Sequence, residues 1–225
     1  MNNYTELIVE IFNENRNGEN AVSMEMYMKK KFKFLGINRP ERNIIQQQIL
    51  LNLGVPDITD LSEVIKLLWD LPYREYQYFA LDLLAKFKNK VPSETINLYS
   101  YLITTKSWWD SVDIIASQLV GPIVKKNSTL IDSHIDAWSL SKNIWLKRTS
   151  IIYQLRYKKE TDTILLSKYI KRSMGTEEFF LNKAIGWALR EYGKVNPQYT
   201  IDFVASEPAL SNLSRRESLR RIEIN

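Results

Sequence analysis

The run Lys106-Ser107-Trp108-Trp109-Asp110-Ser111-Val112-Asp113 sets two indoles beside two carboxylates. Trp109 and Asp113 are four residues apart, so in a helix an aromatic ring and an acid share one side, one turn from each other. Two further stretches combine bulky aromatics with charge: Asn143-Ile144-Trp145-Leu146-Lys147-Arg148, and Glu177 through Arg190, EEFFLNKAIGWALR. In the second, Lys183 and Trp187 repeat the pairing of a charge with an indole at i, i+4. Gly186 lies inside that helical pattern, where it costs about 1 kcal/mol against Ala, and a glycine so placed marks close packing or close approach of a ligand. For Trp109 and Asp113 the ordinary alternative is an indole in the core and an acid on the surface. Against that alternative, favoured for an isolated helix, stand two large aromatics beside two acids at a helix start, where Trp108 can be core while Trp109 faces out.

The chemistry open to such residues is bounded by what the chain lacks. With one His and no Cys it cannot supply a His-rich or Cys-rich metal cage, an H-E-x-x-H site or a thiolate nucleophile, so catalysis falls to carboxylates, hydroxyls, Lys, Arg or aromatics. His134 sits in the polar stretch Asp132-Ser133-His134-Ile135-Asp136 and reads as a helix-surface residue rather than the base of a triad. Neither G-x-x-x-x-G-K-[ST] nor G-x-G-x-x-G occurs. Leu53-Gly54-Val55 lacks the second glycine of a helix-hairpin-helix turn, and no constellation supports a lysine nucleophile.

The elements that must position these residues are helices. Seven Gly and seven Pro among 225 residues are about half the usual combined share of roughly 12%, too few for a hairpin-rich β fold. A 44% apolar composition suffices for a packed core. Apolar residues recur at 3–4 spacing in Leu61, Val64, Ile65, Leu68, Trp69; in Phe79, Leu83, Leu84, Phe87; and in Ile144, Trp145, Ile151, Ile152, Leu155. Gly36, Gly54, Pro72, Pro92, Gly121-Pro122, Asn196-Pro197 and Pro208 are read as the breaks between helices. No stretch nears the ~18 continuous apolar residues of a membrane span, and the acidic N-terminus is unlike a signal peptide, so a soluble intracellular, cytoplasmic protein is expected.

Two overlays reveal a period. Ala80–Lys88 lies over Ser150–Lys158, and Ser150–Arg156 over Ala184–Arg190, with a spacing in the mid-thirties or its double. Such a period, two helices to a unit, marks stacked helical repeats whose equivalent positions line one face. Asp113, Arg148 and Lys183 stand at that spacing and are expected to face one groove. Charge adds a direction: residues 141–225 hold 16 basic and nine acidic side chains, whereas the rest of the chain is slightly acidic. A one-sided basic surface suits a polyanion, or serves simply as a solvated face.

KSWWDSVD, NIWLKR and EEFFLNKAIGWALREYGK, preceded by YMKKKFKFLGINRPER and LWDLPYREYQYFAL and followed by LSNLSRRESL, make the chain resemble the AlkD-like DNA alkylation repair family of DNA glycosylases, from about Met24 to Leu219. The resemblance implies an all-α, curved solenoid of HEAT-like two-helix repeats with a basic concave face, here one domain over residues 1–225. It implies excision of positively charged N3- and N7-alkylated purines, 3-methyladenine and 7-methylguanine, from double-stranded DNA, by a monomer, with no cofactor and no membrane. Carried over motif by motif, it puts the catalytic aspartate on Asp113, the lesion-side tryptophans on Trp109 and Trp187, and an arginine of the site on Arg148. It adds Tyr27 as an aromatic near the cleft. Arg148, Lys183 and Arg190 are then expected to hold DNA phosphates. The competing expectations are a non-catalytic helical-repeat protein that binds DNA or RNA of unusual shape, and a peptide-binding scaffold.

Overall fold

A computed structural model describes residues 3–220 and Ile222. The described residues form helices and turns, with an isolated β-bridge between Lys33 and Tyr73. By packing the chain divides into two compact units, Met1–Val91 and Pro92–Asn225. Among the described residues no helix is long and apolar enough to cross a membrane.

The first unit holds α1 (Asn3–Glu14), α2 (Gly18–Tyr27), α3 (Arg39–Leu53), α4 (Leu61–Asp70) and α5 (Arg74–Phe87). The starts of two are written locally: the Asn17 side chain caps α2, and Asn38 with Glu41 closes a reciprocal capping box on α3, with Pro40 in its first turn. The periodic apolar positions of α4 and α5 are all buried, and Phe12 of α1 meets Tyr76 and Phe79 of α5 at ring-centroid distances of 5.5 and 5.8 Å. Glu75 is fully buried in this unit and accepts backbone N–H groups of Leu35 at 3.0 Å, Gly36 at 2.9 Å and Ile37 at 3.2 Å.

The second unit runs from α6 (Thr95–Thr104) through α7 (Trp109–Ile114), α8 (Gly121–Lys126), α9 (Asp136–Leu140), α10 (Ile144–Ile152), α11 (Thr163–Lys171), α12 (Phe179–Gly193) and α13 (Pro197–Ser206) to α14 (Asn212–Leu219). The mid-thirties period reappears as the sequence separation of contacts between neighbouring helices. Asp113 pairs with Arg148, Lys125 with Glu160, and Tyr157 with the Gly121 carbonyl at separations of 35 or 36, and Asn182 with Ser214 at 32. Each unit of chain therefore leans on the one before it, as stacked helical repeats do.

One expected break is absent. Gly121-Pro122 does not end a helix, because a π-helical segment, Ile115–Val120, joins α7 to α8. The Gly121 N–H bonds to the Ala116 carbonyl, five residues back, and this wider turn re-spaces the ladder just before the proline that cannot donate to it. Gly121 is needed for closeness as well. A Cβ there would lie 2.5 Å from the Tyr153 carbonyl oxygen, where the end of α10 presses on this helix. The expected run to Leu155 is shorter too: α10 ends at Ile152, and the Gln154 side chain, bonded to both backbone groups of Asp162, closes the turn toward α11.

Candidate active site

The helix bearing Asp113 is anchored by rings. Trp108 has extended backbone immediately before α7, and its indole meets Trp145 of α10 at 5.7 Å and Phe180 of α12 at 5.1 Å, with 5.0 Å between the last two. The cluster ties three helices together at the level where their charged residues meet. Trp108 therefore packs inward and Trp109, opening α7, lines a pocket instead.

Asp113 and Arg148 form a fork. Arg148 Nε donates to Asp113 Oδ1 at 2.7 Å and Nη2 to Oδ2 at 2.9 Å, while Nη1 donates to the Phe180 carbonyl. The Arg148 side chain is 5% exposed and that of Asp113 16%, so the anion reaches the pocket and the guanidinium backs it. A bidentate pair fixes direction as well as charge. Burial pushes the Asp113 carboxyl above its ordinary value; the hydrogen bonds and charge of Arg148 pull against it, and Asp110 adds a smaller push upward. Arg148, expected to hold phosphate, spends its donors on Asp113 and Phe180 and presents almost nothing to solvent.

The pocket encloses about 290 Å³. Its aromatic walls are Trp109, Trp187, Phe179 and Phe180. Of the seven residues singled out in sequence, Trp109, Asp113, Arg148, Lys183, Trp187 and Arg190 all line it. Tyr27 belongs to the first unit, where it closes α2 and is 71% exposed. Two larger clefts in the second unit, about 850 and 600 Å³, lack the Trp-lined carboxylate, and both contain the Lys194–Glu191 ion pair.

The charged pocket residue that sequence reasoning missed is Glu217, and the rings of Phe179 and Phe180 were not singled out either. Glu217 comes from α14, is 11% exposed, and accepts from Lys183 at 3.0 Å and Arg190 at 2.8 Å. Its carboxyl is held below the usual range, first by Lys183 and then, against the cost of burial, by Arg190. Gly186 explains its place: a Cβ there would lie 2.4 Å from the Glu217 Cβ, so the bare glycine lets α14 settle on α12. The signal was available, since Glu217 follows Lys183 by one more period of the repeat.

Residues 8–222 match the family model described as DNA alkylation repair enzyme. A solved structure described as a predicted DNA alkylation repair enzyme from Enterococcus faecalis is 34% identical with a TM-score of 0.85, over 93% of this chain and 98% of that one. No curated protein matches. The chain belongs to the DNA alkylation repair enzyme family, the AlkD-like group whose motifs it carries.

Proposed function

We propose that the protein is a monofunctional DNA glycosylase that hydrolyses the N-glycosidic bond of positively charged N3- and N7-alkylated purines, such as 3-methyladenine and 7-methylguanine, in duplex DNA. The observation that carries this reading is a carboxylate locked by an arginine fork and opening into an aromatic pocket. An alkylated purine carrying a positive charge leaves readily, because the electrons of the C1′–N bond neutralise it on departure. The base needs no proton from the protein. What needs support is the cationic sugar left behind, and a fixed anion near C1′ stabilises it electrostatically while orienting the incoming water. The water oxygen bonds to C1′, and its proton passes to Asp113 or, past it, to solvent.

Trp109 and Trp187 add cation–π attraction of ~0.5–2 kcal/mol to a charged base, which a neutral purine does not receive. Lys183 and Arg190 grip the phosphates, Arg148 acts through the carboxylate it aims, and Tyr27, exposed on the first unit, offers the DNA a further aromatic ring. The protein works as a monomer and without a cofactor.

The test is release of 7-methylguanine or 3-methyladenine from methylated duplex DNA. Asp113→Asn keeps the shape and removes the anion, and its expected loss is about 10²–10³-fold in rate. No released base, or an unchanged rate in Asp113→Asn, overturns the proposal. Salt-sensitive binding without release would leave a non-catalytic DNA-binding protein.

A further inference from the structure

A pocket for a positively charged base is lined by three cations, Arg148, Lys183 and Arg190. Asp113 answers only Arg148, with both of its oxygens engaged. Left at that, the pocket would carry two uncompensated positive charges and oppose the substrate it is meant to admit. Glu217 supplies the missing negative charge, bonding Lys183 through one oxygen and Arg190 through the other.

We infer that Glu217 is a specificity-determining residue of this pocket: it cancels enough of the Lys183 and Arg190 charge for a cationic base to enter, while leaving both side chains donors for phosphate. The inference rests on the proposed function, because only a cationic substrate requires the cancellation. The donor count permits the double duty, since an ammonium has three N–H groups and a guanidinium five, and each spends one on Glu217. Geometry fixes the carboxylate independently of the ion pairs. The close approach at Gly186 holds α14 on α12, and Ser214 Oγ donates to the Asn182 carbonyl at 3.0 Å, one turn before Glu217. An isosteric amide at 217 therefore keeps its place and one acceptor oxygen, and loses the charge with the second acceptor.

The experiment pairs two readouts: single-turnover release of 7-methylguanine with enzyme in excess, and affinity for undamaged duplex across a salt series. Glu217→Gln is expected to release the base roughly tenfold more slowly, the effect of one added positive charge across a partly screened pocket. The same variant is expected to bind undamaged DNA more tightly, with a steeper salt dependence. Lys183→Gln is expected to bind undamaged DNA less tightly, with a shallower salt dependence, and at saturating enzyme the double variant Lys183→Gln/Glu217→Gln, with the wild-type net charge restored, releases the base faster than Glu217→Gln alone. Equal rates in wild type and Glu217→Gln overturn the inference. So does a Glu217→Gln protein that loses rate and DNA affinity together and is not rescued in the double variant, the pattern of a purely structural residue. A wild-type protein that releases no base sinks the proposed function itself; an active wild type with an indifferent Glu217→Gln sinks only the inference.

Discussion

Two buried carboxylates, one in each unit, received the same treatment from burial and opposite treatment from their surroundings. Desolvation pushes Glu75 and Asp113 both above the ordinary carboxyl value. Glu75 is fully enclosed, and its oxygens take three backbone N–H groups of the turn that precedes α3. Those groups are part of the fold, so the carboxylate serves as a staple for residues 35–37. Asp113 takes no such backbone donors; a side chain from the next repeat holds it, and its 16% exposure faces a pocket. A perturbed carboxyl is thus not a sign of catalysis by itself. Access to a cavity, and a partner that leaves lone pairs free, make the difference.

The largest expected effect of substitution at these two carboxylates and their partners is at Glu75. Glu75→Ala leaves three buried donors unsatisfied, at about 1–3 kcal/mol each before relaxation, so a loss near 4 kcal/mol is expected, or roughly 10 °C in Tm. Calorimetry checks it, and activity lost in Glu75→Ala should return once the protein is assayed well below its melting temperature. Arg148→Ala comes next. It strands a buried anion and is expected to cost about 3 kcal/mol of stability. Arg16, exposed and stacked on Tyr73, should lose less than about 0.5 kcal/mol on the same change and little turnover.

Trp187→Ala should lower the rate for a cationic base by about 1–2 kcal/mol, read as a five- to thirtyfold loss in kcat/KM, with melting less affected than by the two changes above. The smallest effect is on pH dependence. Because burial favours the neutral acid, Asp113 takes up its proton above the ordinary value of about 4, and activity should fall on acidification through that higher range. In whatever Arg148→Ala protein remains folded, the acid limb should shift further upward, since the charge that opposed protonation is gone. A limb at or below 4 in the wild type would show that Arg148 outweighs burial.

Much of the site was legible because its parts are periodic. Asp113, Arg148 and Lys183 share one register of a repeat, so spacing alone predicted that they meet, and the i, i+4 pairs placed Trp109 and Trp187 on the same sides as their charges. Glu217 was hidden by its local context, a Ser-Arg-Arg-Glu-Ser stretch that reads as any exposed helix. Gly121-Pro122 was misread because helix breakers are judged on an α-helical ladder, and a π turn tolerates what that ladder does not. Glu75 gave no signal, since its donors are backbone groups some 40 residues away in sequence.

By itself the sequence determined helical class, repeat length and the meeting of Asp113, Arg148 and Lys183 with Trp109 and Trp187, because these follow from local propensity and a regular period. Only the tertiary structure decided what each charge does. Whether Arg148 reaches solvent or backs a carboxylate, and whether Lys183 and Arg190 are solvated or bridged by Glu217, depends on which donors lie within 3 Å and how much water is excluded around them. Those are properties of packed helices, and no single helix carries them.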